Sequence, residues 1–176
     1  MRAPAAQTFL PVRDYDLAAT LASGQAFRWR EREGAWEGII KDRWVRLRPC
    51  DDGIAAETAT AQQDWSWLND YLQLGLDFDS VLRTFPDDDP MRAAVAACRG
   101  LRLLRQDPWE CLASFILSST KQIVQIQQIV ELLCERFGTP LVTLPGHDPA
   151  GAEVELGVVV VDGAAVAHAR SPRVSG

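Results

Sequence analysis

The sequence is poor in side chains that bind metals. Its four cysteines, Cys50, Cys98, Cys111 and Cys134, form no CxxC pair, and only His147 and His168 could join them. A zinc site is therefore not expected, and no other metal or cofactor is expected either. Cys98, Cys111 and Cys134 lie in apolar helical patterns and read as small core residues. No apolar run approaches the ~20 residues of a membrane-spanning helix. The stretch from Met1 to Gln7 lacks a signal-peptide pattern. Together these absences predict a soluble, reduced, intracellular protein, cytoplasmic or nucleoid-associated if bacterial. Paired carboxylates, a Ser/His pair and a Gly-rich phosphate loop are also missing. Aromatic residues stop at Phe137, although the chain has 14 of them.

What is present fits a globular chain, with 47% hydrophobic and 24% charged residues over 176 positions. The net charge is −6, which counts against strong nucleic-acid binding. The charge is uneven, however. Residues 1–48 carry nine Lys/Arg and six Asp/Glu, whereas residues 49–110 carry five and twelve. The acid includes Asp87, Asp88 and Asp89, a run expected on a solvated surface.

Residues 8–60 read as β-structure. Apolar and basic residues alternate in Phe27-Arg28-Trp29-Arg30, and Val45 and Leu47 alternate with Trp44, Arg46 and Arg48. Glu33-Gly34, Lys41-Asp42 and Asp51-Asp52-Gly53 supply turns, so an antiparallel meander is expected. From about Ala61 the period becomes helical: Trp65, Leu68, Tyr71 and Leu72 form one stripe, and Phe78, Val81, Leu82 and Phe85 a second. A third helix is expected from Pro90 to about Cys98, with Gly100 past its end.

Asp107-Pro108-Trp109-Glu110 has the marks of a helix start: a capping aspartate, proline at the first position and glutamate three after the cap. Cys111, Leu112, Phe115 and Ile116 share one face of this helix, and Phe115 is expected in the core. After the polar run from Ser118 to Gln122, a second helix has Ile123, Ile126, Ile129, Val130 and Leu133 on its apolar stripe. Gly138 is expected as its left-handed C-cap. Composition changes beyond Gly146: Ala, Val and Gly supply 17 of the 29 residues from Asp148 to Gly176. Val158–Val161 and Ala164–Val166 could pair around Asp162-Gly163 as a type I′ hairpin. The preferred reading of this tail is a frayed, loosely packed segment.

Three segments carry a resemblance. They are Ser23-Gly24-Gln25-Ala26-Phe27-Arg28-Trp29, then Leu101 through Leu112 (LRLLRQDPWECL), then Ser114-Phe115-Ile116 and Ser118-Ser119 onward to Phe137-Gly138. In order and separation they resemble the 8-oxoguanine DNA glycosylases over roughly residues 8–147. The resemblance implies an α+β fold: a TATA-binding-protein-like antiparallel sheet followed by an incomplete helical domain. The expected boundaries are 1–75 for the sheet, 76–147 for the helical part and 148–176 for the atypical tail. It also implies a partner, double-stranded DNA containing oxidised guanine, and base extrusion before chemistry.

Gly24 matches the family glycine whose carbonyl accepts a hydrogen bond from N7–H of 8-oxoguanine; undamaged guanine has a bare acceptor there. Thr120, Lys121 and Gln122 fall where eukaryotic members carry three asparagines. Gln125 falls where those members carry an arginine that contacts the orphan cytosine. These departures bear on how cytosine is read, and an ordinary polar turn is the alternative for this loop.

The family nucleophile is a lysine on a later helix-hairpin-helix unit, which attacks the sugar and forms a Schiff base, assisted by an aspartate. Nothing here matches it. The two lysines are Lys41, in a strand turn, and Lys121, in the polar loop. The tail is expected to be out-of-frame sequence from a GC-rich gene, beginning near Pro149-Ala150, in preference to an unrelated natural tail. Three functions compete on these grounds: an inactive descendant of a base-excision glycosylase, a non-catalytic module that binds damaged DNA, and a non-functional fragment.

Overall fold

Five antiparallel strands organise the first half of the chain in the computed structural model, which describes residues 5–119, 122–141, 156–161 and 164–169. The strands are β1 (Ala6–Pro11), β2 (Arg30–Arg32), β3 (Ala35–Ile40), β4 (Arg43–Cys50) and β5 (Gly53–Thr58). Their order is β1-β5-β4-β3-β2, so the first strand returns beside the last. The expected turns form. Glu33 and Gly34 both take positive φ, 51° and 73°, as a tight hairpin requires, and Lys41 follows at 56°. Val45 and Leu47 are fully buried, matching the alternation in β4. Trp44, expected on the opposite face, is buried as well.

The region is not continuous β-structure. Helix α1 (Leu17–Ala22) interrupts it. Asp16 caps this helix by accepting the Ala19 N–H at 2.8 Å, and Leu17 and Leu21, one turn apart, face the same side. Helix α2 (Ser66–Leu72) buries Leu68, Tyr71 and Leu72. Both helices share one core with Leu10, Val45, Leu47 and Ile54. Helices α3 (Phe78–Leu82) and α4 (Asp89–Ala97) follow and bury no residue fully. The Arg102 guanidinium stacks over the Phe78 ring, 3.4 Å from its centroid. The chain then returns to the sheet unit: Arg105 N–H donates to Tyr71 O at 2.9 Å, and Leu104 joins the first core.

Helix α5 (Pro108–Ser118) starts where expected, with Asp107 accepting from the Trp109 and Glu110 N–H groups. Helix α6 (Ile123–Phe137) follows. Several expectations fail here. Phe115 is 73% exposed, and Leu112 and Ile116 are exposed beside it. Cys98 and Cys111 are exposed, and only Cys134 is buried. On α6 the buried stripe is Ile126, Val130 and Cys134, spaced by four, while Ile123 and Leu133 stay exposed. The reason is physical: periodicity marks an apolar face without supplying its cover, and among the described residues too little packs against that face of α5 to bury it. Gly138 is extended (φ −82°, ψ 157°) rather than left-handed. The chain leaves α6 directly into strand β6 (Thr139–Leu141).

The tail also differs from a frayed segment over its described part. Strands β7 (Leu156–Val161) and β8 (Ala164–Ala169) pair antiparallel, and β6 joins them through Thr139–Val158 and Leu141–Leu156. Four consecutive valines at 158–161 favour the extended backbone. Both strands run against α6. The proposed turn at Asp162-Gly163 and the junction at Pro149-Ala150 lie outside the described residues. Among the described residues, no helix is long and apolar enough to cross a membrane, and no cluster of three metal-binding side chains occurs.

Candidate nucleic-acid interface

Helix α1 ends at Ser23, and the chain reverses at Gly24 with φ +81°. A side chain is strained in this region of backbone space, so glycine suits the turn. Space is also short. A Cβ on Gly24 would lie 3.0 Å from Cδ1 of Ile123, at the start of α6. Gly24 and the start of α6 thus lie side by side although 99 positions separate Gly24 from Ile123.

The turn is held from behind by Gln25. Its Nε2 donates to the carbonyls of Thr20 and Arg102 at 3.0 and 2.9 Å, and its Oε1 accepts from Leu104 N–H at 2.8 Å. The Arg102 N–H in turn donates to Thr20 Oγ1 at 3.1 Å. These bonds tie α1, the turn and residues 102–104 into one block.

Residues 27–30 are not the strand that their alternation suggested; only Arg30 belongs to β2. The alternation has a different outcome, since successive side chains go to different partners. Phe27 is buried against Ile126, Val130 and Cys134 of α6. Arg28 forms a two-point pair with Glu110 of α5, at 2.8 Å (Nε–Oε1) and 3.0 Å (Nη2–Oε2), and also donates to Ile39 O. Trp29 enters the sheet core, donating to Tyr71 Oη at 3.0 Å. Its ring lies against Gly38, where a Cβ would come within 2.5 Å of it. Arg30 pairs with Glu131 of α6 at 2.6 Å. One short segment therefore joins the sheet to both helices.

Burial shifts two groups at this junction. Desolvation raises the Glu110 carboxyl above its ordinary range, with Arg28 opposing the shift. Burial pushes the Cys134 thiol up to about 12.

Of the residues proposed from sequence, Gly24 lies beside Ile123, the residue that follows Gln122 at the opening of α6. Gln122 is the N-cap, exposed, and its N–H donates to Gln125 Oε1 at 3.1 Å. Gln125 thus folds back on its own helix start. Thr120 and Lys121 lie outside the described residues. No acidic residue occupies the first turn of α6, so the positive end of its dipole is not offset there. Sequence reasoning missed Gln25, Gln106 and the Arg28–Glu110 pair. Glu110 looked like half of a capping box, and its true partner lies 82 positions away. No periodic pattern signals a bond at that separation.

Residues 8–112 match the family model described as the 8-oxoguanine DNA glycosylase, N-terminal domain. The chain belongs to the 8-oxoguanine DNA glycosylase family. Among curated relatives, it is similar to N-glycosylase/DNA lyase OGG1 of Arabidopsis thaliana, 33% identical over 126 residues. That match covers 66% of this chain and 34% of the relative. The N-glycosylase/DNA lyase of Saccharomyces cerevisiae is 44% identical over 148 residues, covering 74% of this chain and 38% of the yeast protein. Among solved structures, MBOgg1 in complex with a low-affinity DNA ligand superposes with a TM-score of 0.73 at 31% identity, covering 83% of this chain and 53% of that one. The Clostridium acetobutylicum 8-oxoguanine glycosylase/lyase, bound to duplex DNA with cytosine opposite 8-oxoguanine, shares the fold with a TM-score of 0.68 at 24% identity. This glycosylase-family chain therefore spans between a third and about half of the relatives named here.

Proposed function

We propose that these residues form the lesion-recognition half of an 8-oxoguanine DNA glycosylase/lyase and bind duplex DNA carrying an oxidised guanine. The observation that carries this reading is the Gly24 turn, held at φ +81° against the first residue of α6. Oxidation at C8 places a proton on N7, turning an acceptor into a donor. A fixed backbone carbonyl at Gly24 then bonds the damaged base and repels the undamaged one. Such contact needs the base outside the helical stack. The amides opening α6 at Gln122 and Ile123, with Lys121 just before them, suit a DNA phosphate. Thr120 and Gln125 are proposed to stand near the orphan cytosine.

We further propose that these 176 residues bind without cleaving. Schiff-base chemistry needs a lysine beside the extruded base. Lys41 sits in the exposed turn between β3 and β4, on the sheet unit, and Lys121 is assigned to phosphate. The test has two arms. Borohydride reduction of the chain with an 8-oxoguanine:cytosine duplex is expected to trap no covalent adduct; a trapped adduct would contradict the proposal. Binding measured against salt is expected to be weak, with a log–log slope of about −1 to −2, since each neutralised phosphate contributes about 0.9. Lys121→Ala should weaken binding to every duplex about equally. Absence of binding at low salt, or no effect of Lys121→Ala, would defeat the DNA reading.

A further inference from the structure

Gln25 has an unusual number of partners for one side chain in a turn. Its Nε2 lies within hydrogen-bonding distance of three acceptors, Thr20 O (3.0 Å), Ser23 Oγ (3.0 Å) and Arg102 O (2.9 Å). An amide nitrogen has two protons, so these three share them. Oε1 accepts from Leu104 N–H at 2.8 Å. The main-chain carbonyl of Gln25 accepts from Nε2 of Gln106, the residue just before the N-cap of α5. Gln25 is therefore held through its side chain by α1 and residues 102–104, and through its backbone by the entry to α5.

The peptide unit linking Gly24 to Gln25 is planar, so its carbonyl turns only when Gln25 or Gly24 turns. Glycine resists such turning less than any other residue. The restraint has to come from Gln25. We propose that Gln25 and Gln106 are positioning residues that fix the orientation of the Gly24 carbonyl and thereby set the preference for a base bearing N7–H. This rests on the DNA reading above, and the experiment separates the two.

The full 176-residue chain is compared with Gln106→Leu and Gln25→Met. Affinities for 8-oxoguanine:cytosine and guanine:cytosine duplexes are measured by fluorescence anisotropy, and the ¹³C shift of the Gly24 carbonyl is followed by NMR. One hydrogen bond of ~1 kcal/mol gives the parent about a fivefold preference for the lesion. Both variants are expected to bring that ratio to about one without lowering affinity for the undamaged duplex, and to move the Gly24 carbonyl resonance. A purely structural role would lower both affinities together. Gln106→Leu leaves the four side-chain bonds of Gln25 in place and carries the test if Gln25→Met does not fold. Retention of both the preference and the parental Gly24 resonance in Gln106→Leu would overturn the proposal. If the parent shows no preference, the DNA reading fails, and an unmoved Gly24 resonance in the variants would overturn the positioning role separately.

Discussion

The sheet unit and the α5–α6 pair hold similar apolar residues but bury them unequally. In the sheet unit Leu21, Leu47, Ile54, Leu68 and Leu72 are all almost completely buried. On α5 no residue is fully buried, and Phe115 is 73% exposed. Among the described residues, helix α6 buries only its Ile126–Val130–Cys134 stripe, where Phe27 reaches it. The first unit is a closed core. The second is a surface joined to that core through residues 27–30, with Leu112, Phe115, Ile116, Val124 and Leu132 exposed. Burial is thus concentrated in the sheet unit, and Phe27, Arg28 and Arg30 are the contacts that tie the helices to it.

The largest effect is expected at the joint. Arg28→Met leaves Glu110 buried without its cation, which should cost about 3–5 kcal/mol at neutral pH. The pH dependence follows from the carboxyl. Burial already raises Glu110 above 4.5 while Arg28 opposes the rise, so the variant raises it further. The folded state then binds a proton more readily than the unfolded state. Stability is fully present below the ordinary glutamate range and is lost as pH rises through the raised value. Urea unfolding across pH should show the Arg28→Met penalty shrinking on acidification; a penalty independent of pH would mean that the pair does not bind the two units together.

Next is the closed core itself. Leu47→Ala, at a position with no exposed surface, should cost about 3 kcal/mol. Cysteine chemistry gives a finer contrast. Cys50, Cys98 and Cys111 are exposed, and Cys134 is buried with its thiol pushed up to about 12. Alkylation at mildly alkaline pH should modify three thiols quickly and Cys134 at least about a hundredfold more slowly, because the thiolate is the reacting form. Four equal rates would place α6 away from Phe27. The smallest effect is Phe115→Ala, expected below about 0.5 kcal/mol because the ring is already exposed. A loss of several kcal/mol would mean that the hairpin has a core of its own.

Local chemistry was the part of the fold that could be read from the chain. Asp107-Pro108 marked the start of α5, Glu33-Gly34 and Lys41-Asp42 marked hairpins, and Val45/Leu47 marked the inward face of β4, all from adjacent residues. The errors came where a residue's partner lies far along the chain. Phe115 sits on an apolar helical face, and periodicity predicts such a face without saying what covers it. Phe27 and Trp29 alternate with arginines as strand residues do, yet they enter two different cores. Gly24 was singled out only by the family resemblance, and its turn at φ +81° came from the structure. Gln25 was not singled out, because its amide bonds reach 77 and 79 positions away.

On the proposed function, the Gly24 carbonyl is the group that distinguishes a damaged base. The direct test is Gly24→Ala, with circular dichroism to verify that the fold survives and competition between 8-oxoguanine:cytosine and guanine:cytosine duplexes as the readout. The added methyl meets Ile123 at 3.0 Å and strains a turn at φ +81°, displacing the carbonyl. The variant is predicted to bind both duplexes alike, while the parent prefers the lesion about fivefold. A folded Gly24→Ala chain that keeps the parental preference would contradict the account.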